Sequence, residues 1–338
     1  MERFRALILL LVLLFAGCNS PRRNVNIGGG GGATGGQLYV ATPTAILRFA
    51  SALSANGAVV PTATISGTAT QISAPQHILI DTATNRLFVP NQGNATILIF
   101  QNASTASGNV APSAVMSSTS FSAPIDVAVD ATKNLLYVAD GSNILVFSGE
   151  SAFSGTFTAV PVSTISTGFA IGAIFLDVTN NRMFLTDTTT NSVDIMDNAS
   201  SQTSVALFTG TISGTQTGLN QPRGVALDGS GRLIVSNAAG ASITIYPPAA
   251  VPAGGNAAPV ATITGAATRL ASPEQIVLNS GATGGGELFV ADTGAAAVLV
   301  YGNLATVGGN AGPTRAISGA GTDLSTNAVN GLALDATR

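Results

Sequence analysis

One unit recurs along this chain at intervals of about fifty residues, and it constrains the fold more than any other feature. Its first run ends in Asp or Asn: His77–Asp81, Asp126–Asp130, Ala173–Asp177, Gly224–Asp228, Gln275–Asn279 and Gly331–Asp335. A second run follows after a short turn: Gln37–Thr42, Arg86–Asn91, Leu135–Asp140, Arg182–Asp187, Arg232–Asn237 and Glu287–Asp292. The third reads Ala45–Phe49, Thr96–Phe100, Asn143–Phe147, Ser192–Met196, Ser242–Tyr246 and Ala297–Tyr301. A fourth starts near a proline and often ends in glycine, as in Pro61–Gly67, Pro259–Gly265 and Pro313–Gly319. Each run is short, β-branched or aromatic and bounded by turn residues, so each predicts a strand. Pro75, Pro124, Pro222 and Pro273 precede four of the first strands, where a fixed φ opens a strand without losing a ladder bond.

Four short strands per unit cannot bury both faces of one sheet, so the units must stack face to face around an axis. The predicted fold is therefore all-β, a six-bladed β-propeller with four antiparallel strands per blade. The ends agree with this reading. The first unit lacks its opening strand, and Gly331–Asp335 lacks its followers, so the C-terminal strand is expected to complete the N-terminal blade. An open solenoid is the alternative, and it has no need of that complementarity.

The segments Pro222–Asp228, Leu136–Asp140 and Asn143–Phe147 resemble the NHL repeat. The linker Gly255–Pro259, echoed at Gly108–Pro112 and Gly309–Pro313, is similar to that of bacterial NHL-type lipoproteins of unknown role. The resemblance runs from Gln37 to Asp335 and implies a propeller. It leaves function open, because propellers of that kind serve as protein-binding, RNA-binding and enzymatic scaffolds.

The N-terminus reads as an address rather than as structure. Arg3 and Arg5 precede the apolar run Ala6–Gly17, which is too short to span a membrane as a helix, and residues 1–17 are read as an export signal. Phe15-Ala16-Gly17-Cys18 resembles a bacterial lipobox, with Phe15 in place of the usual Leu. The resemblance implies cleavage before Cys18 and acylation of Cys18. The competing reading is an ordinary secretory signal with a chance cysteine, but Cys18 is the single cysteine of the chain, which suits an anchor better than a core residue or a disulfide. Residues 18–36 then form a flexible Gly-rich tether, and 37–338 the propeller. Asn19, not Asp, follows the cysteine, so by the enterobacterial sorting rule the expected site is the outer membrane of the cell envelope. Two or more acyl chains hold such a protein on a bilayer stably.

Charge excludes one class of partner. With Glu2, Arg3 and Arg5 removed, eleven basic and fifteen acidic residues remain, Lys133 being the sole lysine. No basic stripe can neutralise phosphates, so nucleic acid is not an expected ligand. The expected partners are the bilayer and an unidentified protein or small molecule, with the chain acting as a monomer. The long loops between third and fourth strands, such as Gln101–Val110 and Pro247–Ala258, can carry recognition.

Most Asp residues close strands and are expected to bind N–H groups of the following turn. The irregular positions are more telling. Near the start of five of the six first strands stand Gln76, His77, Asp126, Arg223, Glu274 and Asn330, which the topology gathers at one mouth of the axis. Either they form a ligand or metal site, or the mouth is simply wet and polar, with Arg223 and Glu274 offsetting each other. Six-bladed lactonases similar to SMP-30 hold a divalent cation there, and the equivalent here would be Ca²⁺ on Asp126 and Glu274 with Gln76 and Asn330 nearby. Ala173 and Gly224 offer no ligand from two blades, and no G-x-S-x-G motif or zinc-type cluster is present. The favoured expectation is a non-catalytic binding scaffold without cofactor, the alternative a calcium-dependent hydrolase.

Overall fold

The computed structural model describes residues 35–325 and 327–338, so the predicted signal, Cys18 and most of the tether lie outside the described residues. Six antiparallel sheets follow one another along the chain. Blade 1 runs Gly331–Asp335, Gln37–Thr42, Ala45–Ala50 and Ala63–Ser66 from the axis outward. Blade 2 runs Leu79–Asp81, Arg86–Asn91, Thr96–Phe100 and Ala114–Ser117. Blade 3 is Pro124–Asp130, Leu135–Asp140, Asn143–Ser148 and Ser163–Ser166. Blade 4 is Ile171–Asp177, Arg182–Asp187, Ser192–Asp197 and Gly210–Ile212. Blade 5 is Pro222–Leu227, Leu233–Asn237, Ser242–Tyr246 and Ala261–Thr264. Blade 6 is Pro273–Asn279, Glu287–Asp292, Ala297–Tyr301 and Arg315–Ile317. The C-terminal strand lies antiparallel to Gln37–Thr42, with Leu38 opposite Leu334 and Val40 opposite Leu332.

The core lies between blades. Second strands such as Leu87–Asn91 are buried along their length because both faces meet a neighbour. This is why they read as continuous apolar runs instead of alternating ones. The third strands end in Phe49, Phe100, Phe147, Tyr246 and Tyr301, all sealed from water, and burying each contributes about 2 kcal/mol. The first-strand acids do as expected: Asp81, Asp130, Asp177, Asp228 and Asp335 accept from turn N–H groups two residues on. Asp140 differs. It binds Ser122 N and Ala123 N of the loop entering blade 3, because that loop passes beside the end of the second strand.

Each blade is also stitched to the next at its outer edge. The loop between the third and fourth strands leans back and pairs in parallel with the outer strand of the preceding blade. Gly108 bridges Ile65, Gly255 bridges Ile212, Gly309 bridges Ile263, and Gly57 of blade 1 bridges Ile317 of blade 6. In two blades the same segment becomes a fifth strand: Gly155–Thr158 along Ala114–Ser117, and Ser204–Val205 along Ile165–Ser166. At three joints the residue after the glycine is an asparagine that accepts from a turn of the preceding blade: Asn109 from Ala69 N at 2.7 Å, Asn256 from Gln216 N at 2.8 Å, Asn310 from Ala267 N at 2.7 Å. Facing them, Gly67, Gly214 and Gly265 hold φ of 111°, 113° and 116°, and a Cβ there would fall within 2.6 Å of the asparagine Oδ1. Glycine is required both by conformation and by space. Arginines reinforce other contacts, Arg86 Nη2 reaching Glu150 O, Arg232 Nη1 reaching Leu304 O and Arg315 Nη1 reaching Ala52 O, each at 2.9 Å. The loops expected to carry recognition are thus partly spent on joining blades.

Candidate functional site at the axis

The innermost strands begin with a kink. Register shifts fall between Pro124 and Asp126, Ile171 and Ala173, Pro222 and Gly224, and Pro273 and Ile276. Such bulges leave one residue unpaired and re-aim its side chain. Ile125, Gly172, Arg223 and Glu274 occupy these bulges, so the irregular sequence positions coincide with irregular backbone. Blade 2 departs further. Its inner strand starts at Leu79 and not at His77, because His77 N donates to Ile125 O of blade 3 and Ile78 N to the side chain of Gln275 in blade 6.

His77 and Asp126 are both buried, with Nδ1 and Oδ2 3.3 Å apart. Asp126 is already engaged: Oδ1 accepts from Val127 N at 2.8 Å, and Oδ2 accepts from Ile174 N of blade 4 at 2.9 Å. One carboxylate therefore ties blades 2, 3 and 4. Asn330 donates to Pro75 O at 3.0 Å, tying blade 1 to blade 2. Gln76 turns away from the axis partners and meets Gln92 Oε1 at 3.2 Å. The partly buried Glu274 has its carboxyl pushed above the usual range, chiefly by burial, with the charges of His77 and Arg223 opposing the shift. Arg223 lies beside it, its Nε buried without a hydrogen-bond partner.

The residue that sequence reasoning missed is Gln275. Its Oε1 accepts from Ile78 N at 3.0 Å and Leu332 N at 2.7 Å, and its Nε2 donates to Ile78 O at 3.0 Å. One amide thus joins blade 6 to blades 1 and 2. Its signal was its place beside Glu274 in the irregular ring, but a lone amide suggests no chemistry. Gly224 was read, with Ala173, as a position lacking a ligand, and Gly331 holds the matching place in blade 1. A Cβ at Gly224 would sit 2.5 Å from Glu274 O, and one at Gly331 2.3 Å from Gln76 O. These glycines are what let neighbouring backbones close in around the axis.

The ring thus splits in two. Asp126, His77, Gln275 and Asn330 bind the protein's own backbone and one another, while Arg223 and Glu274 remain an electrostatic pair at the bulges of blades 5 and 6. Among the described residues no group of three or more His, Cys, Asp or Glu side chains is placed to hold a metal ion. A pocket of about 430 Å³ lies elsewhere, between blades 2 and 3, lined by Thr84, Arg86, Gln101, Asn102, Glu150 and Ser151. In its wall Arg86 and Glu150 form a buried ion pair at 3.0 Å.

No family profile matches the chain, and no curated protein matches it in sequence. Solved structures do match in shape. A chain of a nidogen–laminin complex superposes with a TM-score of 0.61 at 13% identity, covering 89% of this chain and 98% of that one. A protein of unknown function from Desulfotomaculum acetoxidans superposes with a TM-score of 0.52 at 15% identity, over 80% of this chain and 77% of that one. At such identities the likeness is one of fold: this chain is a six-bladed β-propeller.

Proposed function

We propose that this chain is an exported lipoprotein, held on the outer membrane through an acylated Cys18, whose NHL-like propeller is a non-catalytic scaffold binding a protein or small-molecule partner. The observation that carries the scaffold half of this reading is the state of the axis ring. Asp126, Gln275 and Asn330 spend their hydrogen-bonding capacity on backbone groups of neighbouring blades. A buried polar group committed in this way is expensive to redirect, since each orphaned backbone partner costs about 1–3 kcal/mol. The calcium-dependent hydrolase reading leans on Asp126 and Glu274 together, and Asp126 already has three partners. The anchoring half rests on the position of Cys18 directly after the apolar run.

The test is fractionation with mass analysis of the N-terminal peptide. Wild type is expected in the membrane fraction, beginning at Cys18 with lipid mass on it, and Cys18→Ala is expected to remain unprocessed or be released. A mature chain starting elsewhere with an unmodified Cys18 refutes the proposal.

A further inference from the structure

The axis mouth holds two charges that the protein itself does not use. Of the charged side chains among the described residues, all but Arg223, Glu274 and Asp323 take part in a hydrogen bond or an ion pair. Asp323 sits on an exposed loop. Arg223 and Glu274 instead occupy the bulges of blades 5 and 6, at matching places on adjoining inner strands. The strands approach closely there, since a Cβ at Gly224 would fall 2.5 Å from Glu274 O. Glu274 feels the charge of Arg223, and those of His77 and Asp292, yet it forms no ion pair. Arg223 Nε is buried without a partner. A third unspent group stands one blade away. In blade 5 the hydroxyl of Ser236 donates to Glu274 O at 2.6 Å, but Thr186 Oγ1, at the matching place in blade 4, is sealed from water with no partner. It lies at the joint with blade 5: a Cβ at Gly172 would fall 2.7 Å from it and 2.6 Å from Pro222 O. Native proteins leave few buried polar groups unpaired, so three at one mouth need a reason.

We propose that this mouth binds a small zwitterion, an α-amino acid without a charged side chain, its carboxylate on Arg223 and its ammonium on Glu274. The site names the ligand of the scaffold proposed above and rests on that reading. Opposite charges on adjoining strands, coupled but not in contact, are matched by a molecule that carries the opposite pair on one carbon. The guanidinium fork meets a carboxylate with two parallel N–H donors. Burial disfavours the charge on Glu274, so an arriving ammonium helps it more than it would help a solvated carboxylate. A plain anion would meet Glu274 and a plain cation Arg223, each bringing an uncompensated charge into a partly buried site. The ends of a folded polypeptide cannot present both charges on one carbon. Ile125 and Gly172, at the bulges of blades 3 and 4, bring no charge to this level, so they offer nothing to a charged side chain. Binding asks nothing of Asp126, Gln275 or Asn330, whose bonds hold the blades together.

Titration calorimetry and ligand-observed NMR on the purified full chain in detergent micelles, with L-alanine, N-acetyl-L-alanine and L-alaninamide, test this. The expected result is saturable binding of L-alanine with a dissociation constant below about 1 mM. Each derivative lacks one of the two charges and is expected to bind at least about tenfold more weakly. Arg223→Met is expected to weaken L-alanine to the level of its amide and leave the two alike. Glu274→Gln is expected to do the same for L-alanine and its N-acetyl form. Neither variant should change the melting temperature, because neither side chain bonds to the protein. The three ligands test the wild type even where a variant fails to fold. No saturable binding, an N-acetyl form that binds as well as L-alanine, or variants that bind like wild type overturns the proposal. The titration is blind to Cys18, so it can fail while the anchor holds. Conversion of L-alanine to another compound would refute the non-catalytic scaffold and uphold the site.

Discussion

Five of the six joints between blades fall into two kinds; at the sixth, where blade 1 meets blade 6, Gly57 bridges Ile317 and the asparagine, Asn56, precedes the glycine. Where blade 2 meets blade 1, blade 5 meets blade 4 and blade 6 meets blade 5, a glycine bridges the outer strand and the asparagine after it latches the next turn. Where blade 3 meets blade 2, Phe157 lies opposite Met116, the counterpart of Ile65, so Phe157 stands in the glycine's place and Thr158 in the asparagine's. Four residues separate Gly108 from Pro112 and Gly255 from Pro259, and the same four separate Phe157 from Pro161. With neither glycine nor latching asparagine there, the segment pairs along the outer strand from Gly155 to Thr158 instead of at a single bridge. Docking a loop in parallel can thus be secured by one side chain plus a glycine, or by more backbone. The first solution is written in sequence and caps the edge. The second is nearly indifferent to sequence and creates a new edge.

The harshest way to disturb this stitching is to remove residues 330–338. Blade 1 then loses its inner strand and with it the buried Leu332 and Leu334. We expect a loss of at least about 5 kcal/mol, a size tied to gross core disruption, and visible aggregation on heating. If calorimetry gives the full-length melting temperature, the pairing of the two ends does not hold the molecule together.

Gln275→Leu comes next and weighs the axis against the rim. It strands Ile78 N, Ile78 O and Leu332 N, and we expect a cost of about 3 kcal/mol in denaturant unfolding. A cost near zero would mean that the axis ties are dispensable and that the outer joints carry the coupling.

The sharpest comparison pits Gly265→Ala at a latched joint against Gly168→Ala at a strand joint. Both hold positive φ, +116° and +82°, but a Cβ at Gly265 lands 2.5 Å from Asn310 Oδ1, while nothing lies within 4 Å of one at Gly168. We expect about 2 kcal/mol for the first and about 1 for the second by chemical denaturation. Adding Asn310→Ala should recover part of the first and none of the second. Equal costs for the two glycines would erase the distinction between the two kinds of joint.

The strands, their order and the number of blades were legible because second and third strands such as Leu135–Asp140 and Asn143–Phe147 repeat with little variation. What escaped was everything the repeat does not encode. The fifth strands at 155–158 and 204–205 are too short and too rich in Gly, Ser and Thr to show a period. The bulges at Arg223 and Glu274 leave an irregular residue in sequence, but not the direction it takes. His77 and Asp126 were correctly placed at the axis as neighbours. The bonds that occupy Asp126 come from backbone N–H groups, which every residue but proline possesses, so no pattern of residue types could announce them. The repeated Gly-Asn linker was visible as an echo, but its partner, a glycine some forty residues upstream, is linked to it only by tertiary structure.

The backward-leaning loops also set an order in time. A chain that emerges amino end first cannot finish blade 1 from its own early residues, because its outer edge waits for Gly108 and its inner strand for Gly331–Asp335. Blades 2 to 5 each wait for the loop of the blade behind them. Every intermediate on the way out therefore carries an unfinished sector, and Gln37 finds Asp335 only when almost the whole polypeptide is present. Closing so distant a contact makes the last step slow. Such a wheel stays pliable until its last strand arrives.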